Sequence, residues 1–329
     1  MALPRLLILS LGGTITMVRD ESGGIAPSLG AEDLVQSIPE LGDVAELDAR
    51  SVFRLPSPSI KLENIIEVAG IIERAFRDEG FDGAVVIQGT DTIEESAFLL
   101  DLLISGGKPV VVTGAMRGAE APGADGPANL LAAARLAVSD EARDAGVLVV
   151  LNYDIHAARF VQKSHTALPS AFTSPLVGPL GVVAEGRPRL YARVPRLPVF
   201  PIADGEPAPI ALLKVAMGYD ARILKALPDT LGYAGLVIEG MGAGHVPADV
   251  APILGDVAAR IPVVLASRSM TGPVFTNTYG YPGAEIDLIA RGLIPSGYLS
   301  GLKARLLLGL VLRKDAGADG VRAAFAPYQ

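Results

Sequence analysis

The chain has 329 residues, of which 50% are hydrophobic and 5% aromatic, and this length predicts roughly two domains with sizeable cores. Its net charge of −8 argues against nucleic acid or an anionic membrane as the main partner, but it leaves room for a small anionic substrate held by local groups. Cysteine is absent, which excludes disulfides, thiolate catalysis and zinc–cysteine sites. The histidines lie far apart in sequence, so we also expect no metal site: His156, His165 and His245.

The N-terminal segment is not predicted to be a signal peptide. Its apolar core is too short for a signal peptide, no plausible cleavage site follows, and Leu6 to Ser10 instead predicts a first buried strand. No run of ~18 apolar residues occurs anywhere, so no transmembrane segment is predicted. We therefore expect a cytoplasmic protein.

A glycine-rich turn follows the first strand. Residues Leu11 to Thr16 read Leu-Gly-Gly-Thr-Ile-Thr, and paired glycines before a threonine can expose backbone N–H groups and a hydroxyl at a strand end. The segment Met17 to Gly30 is polar and glycine-bearing, and its length is typical of a mobile lid. Ala31 to Ile38 predicts a short helix and Ser51 to Leu55 a strand.

The next motif is a proline-flanked turn, Pro56-Ser57-Pro58-Ser59, placed at a strand end. The helix after it has an apolar stripe at helical spacing, which indicates a face buried in the core. That stripe consists of Leu62, Ile65, Ala69, Ile72 and Phe76.

The central motif runs from Gln88 to Glu95, Gln-Gly-Thr-Asp-Thr-Ile-Glu-Glu, directly after the apolar run Ala84 to Ile87. That run predicts a buried parallel strand, and a helical apolar pattern follows it. Gly89 permits a sharp strand-to-helix turn, and Thr92 has the capping-box spacing to the glutamate three residues on. Thr90 and Asp91 therefore fall at the carboxyl end of a strand, where open α/β sheets bind ligands. The alternative is that Asp91 merely caps the helix.

Further β-α units complete the first half of the chain. Lys108 to Thr113 and Gly146 to Leu151 predict strands, and a helix begins at Asp125-Gly-Pro, with proline in its first turn. The repeated pattern predicts an α/β fold with a doubly wound, mainly parallel sheet. Alternating residues between Ala158 and Phe172 suggest a hairpin that carries Lys163.

A second, smaller Rossmann-like α/β domain is predicted after an arginine- and proline-rich stretch. We expect an N-terminal catalytic domain at 1–190, a linker at 191–209 and a C-terminal domain at 210–329. The predicted strands of the second domain are Ile210 to Val215, Leu236 to Ile238 and Val263 to Leu265. Its predicted helices are Asp220 to Leu227, Ala248 to Arg260, Glu285 to Arg291 and Leu302 to Leu312.

Taken together, four motifs occur in the same order and with similar spacing as in the bacterial-type L-asparaginases, which the chain resembles. They are Leu11 to Thr16, Gln88 to Glu95, Pro109 to Arg117 and Asp125 to Asn129, and the resemblance extends through Lys163 and into Gly301-Leu-Lys-Ala-Arg305. The family implies hydrolysis of the asparagine side-chain amide to aspartate and ammonia. It also implies that no cofactor is needed, and that the partners are a small amide substrate and further copies of the chain, as a homodimer or homotetramer.

The resemblance also implies residue roles. Thr14 matches the nucleophilic threonine of the first turn, and Thr90, Asp91 and Lys163 match the second threonine, aspartate and lysine. Ser57 matches the serine that holds the substrate α-carboxylate, and Asp91 matches the carboxylate that faces the α-ammonium group. Ala115 contributes a backbone group near the leaving amide. The expected substrate-binding set is Ser57, Gly89, Asp91, Ala115, Tyr279, Tyr281 and Glu285.

These residue types suit the implied chemistry. An unassisted threonine hydroxyl is a weak nucleophile, and a lysine near a carboxylate and a hydroxyl can relay its proton if burial lowers the lysine pKa. The sequence alone does not say which threonine attacks first, and we favour Thr14. Taken alone, Lys163 would be a solvated hairpin lysine and Ser57 a turn residue, while His165 is interpreted as a bystander.

The chain departs from the family pattern in three places. The lid carries no tyrosine, and the matching position is about Gly24; Tyr279 and Tyr281 are candidate replacements, from this chain or a neighbouring subunit. Pro58 stands where a polar residue commonly binds the α-amino group. The loop Gly242-Ala-Gly-His replaces an asparagine-bearing loop, and Glu285 is the candidate acidic partner.

These departures leave alternatives open. The chain could hydrolyse a different small amide, including a D-amino-acid amide, or it could be a small-molecule binding protein that has lost turnover. The amidase component of a transfer-RNA amidotransferase is less favoured, because we find no added N-terminal domain. Ammonia release from a panel of amides separates these alternatives.

Overall fold

The structure is a computed structural model that describes residues 2–19, 25–27, 30–201, 205–314 and 316–329. The chain folds into two compact units, residues 1–202 and residues 203–329. Both are α/β units with mainly parallel sheets, and the first is the larger. In the part of the chain described, no helix combines the length and the apolar character needed to cross a bilayer.

The N-terminal unit is built on an eight-stranded sheet. Its strands, with those of two short hairpins, are β1 (Arg5–Ser10), β2 (Met17–Arg19), β3 (Ile25–Pro27), β4 (Glu46–Ser51), β5 (Gly83–Ile87), β6 (Val110–Thr113), β7 (Val147–Leu151), β8 (Asp154–Ala157), β9 (Gln162–Lys163), β10 (Phe172–Thr173), β11 (Gly181–Ala184) and β12 (Arg187–Leu190). Its helices are α1 (Ala31–Gln36), α2 (Leu62–Asp78), α3 (Ile93–Leu103) and α4 (Gly126–Ala137).

The main sheet has the order β12-β11-β8-β7-β6-β5-β1-β4, and the five strands from β7 to β4 run parallel. Taken from β4 to β7, these five strands come second, first, third, fourth and fifth along the chain, so the winding direction reverses between β1 and β5. This is a doubly wound sheet, as predicted. Strands β5, β6 and β7 are buried at every residue because helices cover them, with α4 in one core cluster with β1, β5 and β6.

Two local predictions in this unit are wrong. The strand beside β1 is β4 rather than Ser51 to Leu55, because β4 is an edge strand whose half-exposed residues give no apolar run to recognise. Thr92 does not cap α3 with its side chain. Its hydroxyl instead donates to the Ser57 carbonyl oxygen at 3.2 Å and accepts from the Gln88 amide at 3.2 Å, so tertiary contacts replace the local capping bond.

The structure describes the predicted hairpin and the first part of the predicted linker. Strands β9 and β10 form a separate two-stranded antiparallel sheet, which we call the lysine hairpin, because Lys163 pairs with Phe172 in it. Residues 187–190 form β12, an edge strand that tolerates a proline. Beyond it, Arg196 donates to the Ile104 and Gly106 carbonyls, so the first part of the predicted linker is fixed on the N-terminal unit.

The C-terminal unit contains a four-stranded parallel sheet in the order β13-β14-β15-β16. Its strands are β13 (Ile210–Lys214), β14 (Gly235–Gly240), β15 (Val263–Ser267) and β16 (Ile294–Pro295). Its helices are α5 (Arg222–Ala226), α6 (Ala251–Ala258), α7 (Glu285–Ala290), α8 (Gly301–Leu312) and α9 (Ala318–Phe325). The sequence predicted all of these elements except β16, which has only two residues, and α9, whose buried residues are Val321 and Phe325.

Candidate active site

The first glycine-threonine turn lies against the second at the point where the sheet reverses its winding. Strands β1 and β5 are neighbours and end in register, with Ser10 opposite Ile87. Gly12 and Gly13 have φ values of +105° and +96°, which only glycine adopts without strain. A Cβ on Gly13 would overlap the backbone of Gly89, so the two turns are in direct backbone contact.

The two threonines directly follow the two glycines that are in contact. These threonines are Thr14 and Thr90, and a trans peptide separates neighbouring Cα atoms by about 3.8 Å. Thr90 is buried, with 6% exposure, and Thr14 is half-buried. The carboxyl ends of β1 and β5 therefore carry two hydroxyl-bearing turns at the switch point of the sheet, the position where doubly wound folds bind ligands.

Two further loops pack against the two threonine turns. A Cβ on Gly89 would lie 2.7 Å from the Ser57 hydroxyl oxygen, so the proline-flanked turn packs on the second threonine turn. A Cβ on Gly114 would lie 3.4 Å from Cγ2 of Thr90, so the loop that leads to Ala115 also packs on the second threonine turn. Close backbone packing thus explains why glycine occupies these positions.

Lys163 reaches the second turn from the lysine hairpin. Its Nζ donates to Thr90 Oγ1 at 2.8 Å and to Asp91 Oδ1 at 2.6 Å. Its backbone N–H donates to Glu94 Oε1 on α3 at 3.3 Å, which ties the hairpin to the helix that follows the turn. The Lys163 side chain is 14% exposed, whereas that of Asp91 is 59% exposed. Lys163 is therefore not a solvated hairpin lysine.

Ser57 is also part of this cluster. Its hydroxyl accepts the Asp91 backbone N–H at 3.2 Å and donates to Asp91 Oδ2 at 3.4 Å, and the residue is 3% exposed. Asp91 therefore has Ser57 at one oxygen and Lys163 at the other, a fixed orientation that leaves much of its carboxylate open to solvent.

The loop that carries Ala115 is held by a carboxylate whose role the sequence did not reveal. Asp125 accepts the backbone N–H groups of Met116 at 3.0 Å and Arg117 at 2.9 Å. Asn129 on α4 donates to the Gly114 carbonyl at 3.0 Å and to Asp125 at 3.0 Å. The spacing in Asp-Gly-Pro-Ala-Asn could have indicated this, because it puts both polar side chains at the first turn of one helix.

In the C-terminal unit, Glu285 is fully buried, at 0% exposure, and its Oε1 accepts the backbone N–H groups of Thr278 and Tyr279. Its Oε2 lies 3.1 Å from His245 Nε2, and His245 Nδ1 lies 3.0 Å from the Tyr281 hydroxyl. Burial by itself raises the pKa of Glu285, but the hydrogen bonds from Tyr279, its own backbone N–H, Thr278 and His245 outweigh burial and lower that pKa. The tyrosines are the exposed members, at 42% for Tyr279 and 49% for Tyr281.

The lid prediction falls mostly outside the described residues. Gly24, the position that matches the missing tyrosine, lies outside the described residues. After the first threonine turn, the described residues of β2 and β3 pair as antiparallel strands. His165, interpreted as a bystander, accepts the backbone N–H groups of Ala167 and Leu168 at its Nδ1, and so closes the loop of the lysine hairpin.

The doubly wound unit, with its cluster at the switch point and a smaller parallel-sheet unit after it, makes this a two-domain α/β protein with a candidate site in its larger unit. Residues 5–196 match the family model described as "Asparaginase, N-terminal", and residues 209–325 match the "Glutaminase/Asparaginase C-terminal domain". The chain therefore belongs to the asparaginase family and is an asparaginase-like amidohydrolase.

Individual relatives agree with this placement over nearly their whole lengths. The chain is 33% identical to the L-asparaginase of Bacillus licheniformis over 94% of this chain and 95% of that protein. It is 36% identical to a probable L-asparaginase of Deinococcus radiodurans, covering 98% of each. The crystal structure of a probable cytoplasmic L-asparaginase from Campylobacter jejuni superposes with a TM-score of 0.88 at 30% identity, covering 98% of this chain and 99% of that one.

Proposed function

We propose that this protein hydrolyses L-asparagine to L-aspartate and ammonia, with Thr14 as the nucleophile and Thr90, Asp91 and Lys163 as the activating set. The observation that carries this proposal is the position of Lys163 Nζ, within 2.8 Å of Thr90 Oγ1 and 2.6 Å of Asp91 Oδ1. An amine, a hydroxyl and a carboxylate in one hydrogen-bonded chain are the groups that move a proton during amide hydrolysis.

In the first half of the reaction, Thr14 Oγ forms a bond to the amide carbon while the carbonyl π electrons move onto oxygen. The proton of Thr14 passes through the Thr90 hydroxyl into the hydrogen-bonded set of Thr90, Asp91 and Lys163. It then goes to the amide nitrogen, the C–N bond breaks, and ammonia leaves. Thr14 now carries the substrate as an ester.

In the second half, water attacks the ester and gives its proton to the same Thr90–Lys163 pair, and Thr14 leaves with that proton as a hydroxyl. Backbone N–H groups of the two threonine turns are suited to hold the oxyanion in both halves, at about 3–4 kcal/mol per donor. The direct backbone contact of Gly13 with Gly89 supports this role, because it keeps the donors of both turns at one point.

The exposed carboxylate of Asp91 is suited to the substrate α-ammonium group, and the Ser57 hydroxyl beside it to the α-carboxylate. The backbone of Ala115 is suited to the amide being cleaved, because Asp125 fixes the loop at the next two residues. Gly89 contributes by its small size, since a side chain there would fill the space next to Ser57.

The first experiment measures ammonia release from L-asparagine, L-glutamine and D-asparagine by the wild type and two variants, Thr90→Val and Lys163→Met. We expect L-asparagine to be preferred, and both variants to lower kcat by about 100-fold or more because each interrupts the proton path. Thr113→Val is the matched control. It removes a buried threonine hydroxyl that is bonded to the Val150 carbonyl at 2.7 Å rather than to a residue of the proposed site, so its kcat should stay close to wild type.

Near-normal turnover by Thr90→Val refutes its role. Binding of asparagine without ammonia release from any amide supports the non-catalytic alternative instead. Acid quenching during turnover, followed by peptide mass spectrometry, tests the nucleophile: we expect an aspartyl ester on the peptide that contains Thr14. An ester on the Thr90 peptide would reassign the attack.

The contributions of Tyr279, Tyr281 and Glu285 to substrate binding stay predictions, as does an assembly of two or four chains. Because Glu285 is fully buried and hydrogen-bonded at both oxygens, its support for a substrate would run through His245 and Tyr281.

A further inference from the structure

The lysine hairpin is joined to the rest of the N-terminal unit by a short backbone link and by side-chain anchors. The lysine hairpin pairs within itself, in a two-stranded sheet separate from the eight-stranded one. Four residues separate β8 from β9, and backbone bonds from Ala158 to Val147 and from Val161 to Ala157 hold that link. The ladder of the main sheet does not extend to β10. The Lys163 amine, by contrast, has to stay within hydrogen-bond range of two groups at once, at 2.8 and 2.6 Å.

One such anchor is a buried histidine–serine pair. His156 lies on β8, opposite Val149 of β7 in the main sheet, and Ser174 directly follows the last residue of β10. His156 Nδ1 and Ser174 Oγ are 2.9 Å apart, and the two residues are 1% and 4% exposed. This hydrogen bond joins the main sheet to the strand that pairs with Lys163.

The imidazole serves this bond and makes no other hydrogen bond within the described residues, since its Nε2 is buried without a partner there. Burying a polar group without a partner costs about 1–3 kcal/mol, a cost that an aliphatic side chain of similar volume would avoid. Burial lowers the pKa of His156 to about 4, so the ring stays neutral near pH 7. A histidine that served only to fill the core would carry this cost without return.

Ser174 is held on its other side as well. Its carbonyl accepts the backbone N–H groups of Gly178 at 2.7 Å and Val177 at 3.2 Å, which closes the turn that leads back to the sheet. Phe172, the pairing partner of Lys163, lies two residues before Ser174, about 7 Å along an extended strand. The anchor is therefore close enough to control where the lysine strand lies.

We propose that His156 is a positioning residue for the reaction: through Ser174 it holds the lysine hairpin so that Lys163 Nζ reaches Thr90 and Asp91. This inference rests on the proposed function of Lys163. It predicts a larger effect on the chemical step than on substrate binding, because Lys163 moves the proton, while Asp91 keeps its two hydrogen bonds to Ser57 when the lysine is displaced.

The test compares His156→Leu, Ser174→Ala and His156→Asn, with kcat and KM for L-asparagine measured per folded enzyme. We expect His156→Leu and Ser174→Ala to lower kcat by about 10- to 100-fold with KM within about twofold, since a displacement of about 1 Å has effects of that size. His156→Asn keeps a side-chain nitrogen near the position of Nδ1 and should restore most of the rate. The double variant His156→Leu/Ser174→Ala should be no slower than the slower single variant, because both remove one bond.

Ser296→Ala is the matched control, because it removes another buried serine hydroxyl, bonded to the Leu299 carbonyl at 3.0 Å in the C-terminal unit. An equal loss of kcat in that control would overturn the inference, as would additive effects in the double variant or a wild-type kcat in Ser174→Ala. If His156→Leu does not fold, Ser174→Ala and His156→Asn decide the question alone. A Lys163→Met variant with wild-type kcat would instead refute the proposed function itself.

Discussion

Lowering the pH from 7 to 5 should destabilise the folded protein through His156. Burial lowers the pKa of this imidazole from 6.5 to about 4, because the apolar surroundings disfavour the charged ring. Between these two values the unfolded chain binds a proton that the folded chain does not, so stability falls as the pH drops through this window. Linkage gives a loss of about 2 kcal/mol between pH 7 and pH 5, and no further loss well below pH 4.

Urea unfolding of the wild type and His156→Asn at the two pH values measures this effect. Other groups cancel in the comparison, including Asp154 on the same strand, where burial raises the pKa and the contribution has the opposite sign. We expect the wild type to lose about 2 kcal/mol more than the variant between pH 7 and pH 5. For a unit of this size that difference corresponds to roughly 4–8 °C in Tm. Equal losses in both proteins would refute the claim that His156 is buried in its neutral form.

The remaining predictions concern the two threonine turns and the C-terminal unit. Gly13→Ala should lower both Tm and kcat, since the new methyl group meets the Gly89 backbone at a φ of +96°; wild-type values for both would show that the turns are not in contact. Tyr281→Phe should raise KM for L-asparagine by about 10-fold if its hydroxyl, backed by His245, replaces the missing lid tyrosine, since a lost hydrogen bond to a charged partner has about that effect. Unchanged kinetics would remove Tyr281 from the predicted site.

Local chemistry made much of the fold predictable. Apolar runs ending in glycine-threonine turns predicted β1 and β5, and the spacing of Asp125 and the proline after it predicted the start of α4. Edge elements were harder, because strands such as β4 are half exposed and have no apolar run. The side-chain hydrogen bond between His156 and Ser174 could not be predicted, because nothing near either residue in the sequence indicates that they bond to each other.

The sequence by itself determined which residues form the turns at the ends of β1 and β5, because glycine dihedrals, apolar strands and helix starts depend on near neighbours. Only the tertiary structure decided that Lys163, 73 positions after Thr90, comes within hydrogen-bond distance of it. It also decided that Glu285 is buried behind His245 and that Thr92 bonds to the Ser57 carbonyl rather than to its own helix. Contacts of that kind depend on how distant segments pack, and no local pattern in the chain records them.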